Sequence, residues 1–139
     1  MAATIVDTSF IVALFNKNDK YYQACQDAYH KQTQAIFLLQ PALSEIAYML
    51  RRYSPYNTVI TFLNGISQSK FQLIEVNESD LLRAAAIMGQ YADAELDFVD
   101  AAIVAVAERL SIQDIFTLDQ RDFSIIRPKH CDYFRLTPA

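Results

Sequence analysis

Apolar runs and polar breaks divide the chain into short strands and longer helices. ATIVD, from Ala3 to Asp7, is a brief run of β-formers ending on a carboxylate. Thr8 or Ser9 then stands where a helix through SFIVALFN would be capped. A second helix is expected after Asp19, with Tyr22, Cys25, Ala28 and Tyr29 on its inner face. AIFLL (Ala35 to Leu39) reads as a buried strand, and Pro41 follows near the start of a helix from Ala42 to Tyr53, where a residue without an N–H is tolerated. Ser54-Pro55 ends that helix, and Tyr56 to Ile66 forms the next, closed near Gly65. FQLIEV (Phe71 to Val76) alternates as a strand does, and Ser79 opens a helix LLRAAAIMGQYA whose positive end suits Asp80. DIFTLD (Asp114 to Asp119) is a short strand running into a carboxylate, and CDYFRL (Cys131 to Leu136) is a last strand. Strands alternating with helices predict one α/β domain over residues 1–139 with a mainly parallel sheet, where ligands bind beyond the carboxyl ends of the strands.

One segment breaks its own pattern. In LDFVDAAIVAVAERL, every residue from Phe98 to Ala107 is apolar except Asp100, so the helix has no wet face to offer that carboxylate. An unpaired charge there costs several kcal/mol, roughly, and a basic partner, a proton or a metal ion must compensate. Arg121 is one candidate for a structural ion pair. Asp97 precedes the apolar run and reads as the helix cap, although its spacing lets it share a face with Asp100.

Composition narrows the setting. With 53% hydrophobic residues in 139, the chain can bury a core without disulfides. Cys25 and Cys131 match no zinc spacing and read as ordinary thiols of a reducing cytosol. No apolar run reaches the ~18 residues of a membrane helix, and MAATIVD lacks a basic n-region; the expectation is a cytoplasmic protein with no membrane association. The net charge of −4, from 12 Lys+Arg against 16 Asp+Glu, argues against a nucleic-acid partner. That argument lapses if four acids hold cations, because twelve acids then balance twelve bases.

Four carboxylates are candidates. Asp7 and Asp119 end strands, Glu45 lies near the start of a helix, and Asp100 sits near the start of the apolar helix. All fall on the strand-end side of the sheet, where convergent acids repel unless neutralised. Oxygen ligands favour Mg²⁺ or Mn²⁺. His30 and His130 are the two histidines and neither lies near these motifs, which disfavours zinc. Each acid also has a plainer reading. Asp7 could cap its helix, Asp119 could open the turn DQRDF, and Glu45 could be a solvated helix residue.

Taken in order, TIVDTSFIVAL, PALSEIAYML, LDFVDAAIVAVAERL and FTLDQRDFSIIRP resemble the four acidic blocks of PIN-domain nucleases, in particular the VapC-type toxins of toxin–antitoxin pairs. The resemblance implies a PIN-like three-layer α/β/α sandwich and Mg²⁺- or Mn²⁺-dependent endoribonuclease activity leaving a 3′-hydroxyl and a 5′-phosphate. It also implies a cognate antitoxin and a homodimer. Asp7, Glu45, Asp100 and Asp119 match the family's four acids, and Ser9 and Thr117 its hydroxyl positions. The fourth block also offers Asp122; Asp119 is favoured because it directly follows the strand. Asp7 and Asp100 are then the direct metal ligands. Glu45 and Asp119 would hold a second ion or act through water, Glu45 being favoured as a base.

For the RNA, Lys17, Lys20, Arg51, Arg52, Arg121 and Arg127 could track phosphates, while Tyr48, Tyr53 or Tyr56 could stack on bases. A helix-end charge pair is the commoner role of Arg51-Arg52. YYQACQDAY and YNTVITFLNGI read as core, or as a groove for antitoxin helices and a second copy. The rival reading is a catalytically silent PIN-like module binding RNA or protein. A haloacid-dehalogenase-type phosphotransferase fits poorly, since Ser9 stands where its second Asp would be.

Overall fold

The computed structural model describes residues 3–138. Five strands, β1 (Thr4–Val6), β2 (Ile36–Leu39), β3 (Phe71–Ile74), β4 (Asp114–Phe116) and β5 (Arg135–Thr137), form one sheet in the order β3-β2-β1-β4-β5. Every pairing is parallel. Parallel neighbours need crossovers, and the helices that supply them bury the sheet, so β1 and β2 are runs of apolar or β-branched residues. Thr4 tolerates the centre of the sheet because its Oγ1 donates to the Asp114 carbonyl at 2.8 Å.

The helices among the described residues are α1 (Thr8–Leu14), α2 (Tyr22–Lys31), α3 (Ala42–Tyr53), α4 (Asn57–Gly65), α5 (Glu78–Gln90), α6 (Phe98–Leu110) and α7 (Gln120–Ile125). α1 packs against α2 and α3, α3 against α4, and α5 against α6. The fold is the expected three-layer α/β/α sandwich. Lys70, just before β3, caps α2 by donating from Nζ to the carbonyls of Tyr29, His30 and Gln32 at 2.8, 3.0 and 3.1 Å. Phe10 stacks on Phe116 with ring centroids 4.6 Å apart, which locks α1 to the strand beside it.

Several boundaries depart from the sequence reading. α1 starts at Thr8 with Asp7 in the cap position, so neither Thr8 nor Ser9 caps it. α5 starts at Glu78. Its cap is Asn77, whose Oδ1 accepts the Asp80 N–H at 2.9 Å while Asp80 Oδ2 accepts the Asn77 N–H at 3.0 Å. Asp80 does more than favour a helix end. It is buried and gripped by Arg109, Nε to Oδ1 and Nη2 to Oδ2, both at 2.9 Å. Arg83 and Glu108 make a second bridge between α5 and α6 at 2.7 Å. The fourth strand stops at Phe116, because β1 offers pairing only to Asp114–Phe116. The last strand is Arg135–Thr137, set by the same three residues of β4, and Cys131 to Phe134 lie outside it. Along α6, Val99 to Ala107 are buried as expected, but Phe98 is exposed.

Candidate metal centre

Strand ends and helix starts bring the acids together. β1 delivers Asp7, whose N–H donates to the Phe116 carbonyl at 2.8 Å, so the carboxylate hangs where β1 and β4 stop. Asp7 is 4% exposed, and its Oδ2 accepts from Thr117 Oγ1 at 2.8 Å and Ser9 Oγ at 2.9 Å. The same hydroxyls accept the next backbone N–H groups: Leu118 donates to Ser9 Oγ and Asp119 to Thr117 Oγ1, each at 2.9 Å. Ser9 and Thr117 thus fix both Asp7 and the segment that carries Asp119.

Asp119 is the cap of α7, with Oδ1 accepting the Asp122 N–H at 3.3 Å. It lies three residues past β4, not directly on its end. Asp97 caps α6 by accepting the Asp100 N–H at 3.0 Å, as its place in the sequence predicted. Asp100 then falls in the first turn of α6, 5% exposed. Glu45, in the first turn of α3, is half-buried.

Asp7, Ser9, Glu45, Asp97, Asp100 and Asp119 all line one cavity of about 450 Å³. Oxygens of Asp100, Asp119 and Asp122 lie within 4.8 Å of one another, so both acids of the fourth block belong to the cluster. The lining also includes Thr8, Asn16, Asp19, Met49 and Tyr53, none of which was singled out as part of the acid site. For Met49 and Tyr53 a signal existed: they follow Glu45 at steps of four along a helix. Among the described residues, Thr8 Oγ1 is buried and finds no hydrogen-bond partner.

Electrostatics here is one-sided. Burial, then repulsion from Asp7, Asp97, Asp119 and Asp122, pushes the Asp100 carboxyl up to about 9. Burial also raises Asp7, against the hydrogen bonds of Thr117 and Ser9 that favour its charged form. Asp122 is raised by burial and then by Asp119. Among the described residues, no Lys or Arg side-chain nitrogen lies within 4.0 Å of a carboxylate oxygen of Asp7, Glu45, Asp97, Asp100 or Asp119. Arg121, a candidate partner for Asp100, pairs with Asp122 at 3.1 Å instead. Among the described residues Arg121 reaches Asp122 alone, so protons or cations must neutralise the other acids. Its donors are all oxygen, with no thiolate or imidazole on the cavity wall, which suits Mg²⁺ or Mn²⁺ over zinc.

The PIN domain family model matches residues 4–127. Ribonuclease VapC26 of Mycobacterium tuberculosis is similar at 25% identity over 134 residues, 96% of this chain and 99% of that protein. Among solved structures, M. tuberculosis VapC20, a Sarcin-Ricin loop cleaving toxin, superposes with a TM-score of 0.77 at 23% identity, covering 85% of this chain and 91% of the other. DNA-bound VapBC from Salmonella typhimurium gives 0.71 at 13% identity, with 98% and 97% covered. A toxin–antitoxin complex from Klebsiella pneumoniae gives 0.68 at 19%, with 95% and 99% covered.

Proposed function

Because the chain belongs to the PIN domain family, we propose that it is a Mg²⁺- or Mn²⁺-dependent endoribonuclease, a single domain over residues 1–139, acting in the cytoplasm as the toxin of a type II toxin–antitoxin pair. One observation carries this reading. Asp7 and Asp100, buried and far apart in sequence, share a cavity with Glu45 and Asp119 and have no basic partner among the described residues. RNA is the substrate class that the relatives' names support.

Asp7 and Asp100 would hold the cation directly, with Glu45, Asp119 and Asp122 as the further oxygens. A divalent ion held there would supply a water of lowered pKa and positive charge to offset the anion of an in-line displacement. Ser9 and Thr117 hold Asp7 in one rotamer, since both bond the same oxygen. Asp97 fixes the first turn of α6, and with it the place of Asp100. The Glu45 carboxylate, half-buried on the cavity wall, is the group that would take the proton of the attacking water.

The antitoxin reading has its own support. Leu14, Phe15, Tyr22, Tyr29, Phe62 and Phe71 line a second cavity of about 440 Å³ that α1, α2 and α4 share. It takes residues from both aromatic stretches singled out in the sequence. An amphipathic antitoxin helix would lie there, and a second copy of the chain would complete a homodimer. No helix among the described residues is long and apolar enough to cross a membrane.

The test is RNA cleavage by wild type, Asp7→Ala and Asp100→Ala with Mg²⁺, Mn²⁺ or chelator. Wild type should cleave only with metal, and either substitution should slow cleavage by at least about 10³-fold. Equal activity of the three proteins, or activity in chelator, would sink the assignment.

A further inference from the structure

The face of α3 that carries Glu45 continues past the acids. Glu45, Met49 and Tyr53 recur every four residues, the spacing that aligns side chains on one face, and all three line the acid cavity. The stripe runs from a carboxylate in the first turn to a phenol ring in the last, about 12 Å at 1.5 Å per residue. Tyr53 is 53% exposed, and Tyr48 and Tyr56 beside it are 63% and 62% exposed, so none of the three rings serves the core.

Two arginines lie over these rings. The Arg52 guanidinium carbon is 5.6 Å from the Tyr53 centroid and that of Arg51 is 5.2 Å from the Tyr56 centroid. Arg83, Arg109, Arg121 and Arg135 each pair with a carboxylate, whereas among the described residues Arg51 and Arg52 have none within 4.0 Å. In a chain of net charge −4, the guanidinium of Arg52 therefore lies, without a carboxylate partner, over the Tyr53 ring that lines the acidic cavity, and Arg51 lies over the neighbouring Tyr56.

We propose that Tyr53, with Arg52 beside it, is the base-stacking edge of the substrate site, so that an unpaired nucleotide next to the cleaved bond lies on the Tyr53 ring while Arg52 and Arg51 face its phosphates. The inference rests on the ribonuclease reading and specifies its substrate: RNA whose bases are splayed at the cut. An aromatic face accepts any base, but only one freed from pairing can reach it. Helix-end stabilisation accounts for two arginines in the last turn of α3. It leaves three exposed rings beneath and beside them unexplained. A protein contact also favours Tyr and Arg, yet the stripe is continuous with the acids, which favours a strand leaving the cavity.

The experiment uses the full chain and an unstructured RNA oligonucleotide, alone or annealed to its complement. Cleavage is measured with Mn²⁺ for wild type, Tyr53→Ala, Tyr53→Leu, Tyr53→Phe and Arg52→Gln, with Tyr133→Ala as an exposed tyrosine outside the cavity. Binding is read in an Asp100→Asn background by the quenching of 2-aminopurine in the same oligonucleotide. Removing the ring should raise KM for the single strand roughly 5- to 100-fold, with kcat little changed and quenching lost. Tyr53→Phe should restore both, Tyr53→Leu should restore neither, and Arg52→Gln should weaken binding most at low salt. The annealed RNA should resist cleavage.

Wild-type KM and quenching in Tyr53→Ala would overturn the proposal, as would Tyr53→Leu matching Tyr53→Phe. So would sedimentation showing that Tyr53→Ala dissociates an oligomer while KM stays unchanged, which makes the strip a protein contact. In each of these cases wild type still cleaves and Asp100→Ala does not, so the ribonuclease reading survives. If wild type itself neither cleaves nor binds, that reading falls and takes the stacking edge with it.

Discussion

Asp100 is where pH and the proposed cation would act on the same atoms. Its carboxyl is pushed from 3.8 up to about 9 by burial and by the neighbouring carboxylates. The folded chain therefore keeps a proton that the unfolded chain has already released between those values. Stability from this group is complete below about pH 4, declines as pH rises, and levels off above about 9. In chelator, the melting temperature of wild type relative to Asp100→Asn should fall across that window. Mg²⁺ or Mn²⁺ should restore wild type at high pH and leave Asp100→Asn unmoved. Scanning fluorimetry decides this, and a pH-independent difference would refute it. Ser9→Ala and Thr117→Val should each weaken metal affinity about 10- to 100-fold, because the hydroxyls orient Asp7 without being ligands themselves; titration calorimetry measures that. Asp100 was legible in the sequence as a lone acid in an apolar run. That Asp122 would join Asp119 was not, because the spacing alone does not reveal that β4 stops at Phe116 and that Asp119 caps a new helix.

Among the elements, α5 and α6 are held by side chains that the hydrophobic pattern does not rank. The pattern located both helices, and the lone Asp97 gave the start of α6. It missed the reciprocal cap of Asn77 and Asp80, and the grip of Arg109 on Asp80, because a charged residue near a helix start looks the same exposed or buried. Asp80 is 2% exposed, so Arg109→Leu should destabilise the fold by about 3 kcal/mol by leaving that carboxylate uncompensated. Urea unfolding with an unchanged m-value would check it, and a loss below about 1 kcal/mol would contradict it. The other end of α6 offers the opposite sign. Ser111 has φ 56°, the Ile112 N–H donates to the Ala107 carbonyl at 2.8 Å, and the Ser111 N–H donates to the Glu108 carbonyl at 3.4 Å. This is a helix stop that normally takes glycine. Ser111→Gly should therefore stabilise by about 0.5–1 kcal/mol, after allowing for the greater freedom of glycine in the unfolded chain.

For the molecule as a whole, alternation of short β-former runs with longer helical segments was enough to predict a parallel α/β sandwich, since parallel neighbours need such helical crossovers. Strand order was beyond it: nothing in the runs says that β1 sits between β2 and β4, yet that placement is what joins Asp7 to Asp119 through Thr117. Net charge was the least informative quantity, because −4 averages a cavity of acids with cations elsewhere on the surface. The strip proposed to face RNA carries Arg51 and Arg52, and the affinity of a single strand falls with a slope of about −0.7 in log salt for each phosphate neutralised. Two phosphates imply a slope near −1.4, and Arg52→Gln should bring it to about −0.7, measured by 2-aminopurine titration in Asp100→Asn at fixed divalent concentration. A slope steeper than about −3 would mean that the strand is held by a broad basic surface. Such a surface would leave affinity insensitive to Arg52, whereas a strand held at the α3 rim makes each guanidinium a visible share of the salt dependence.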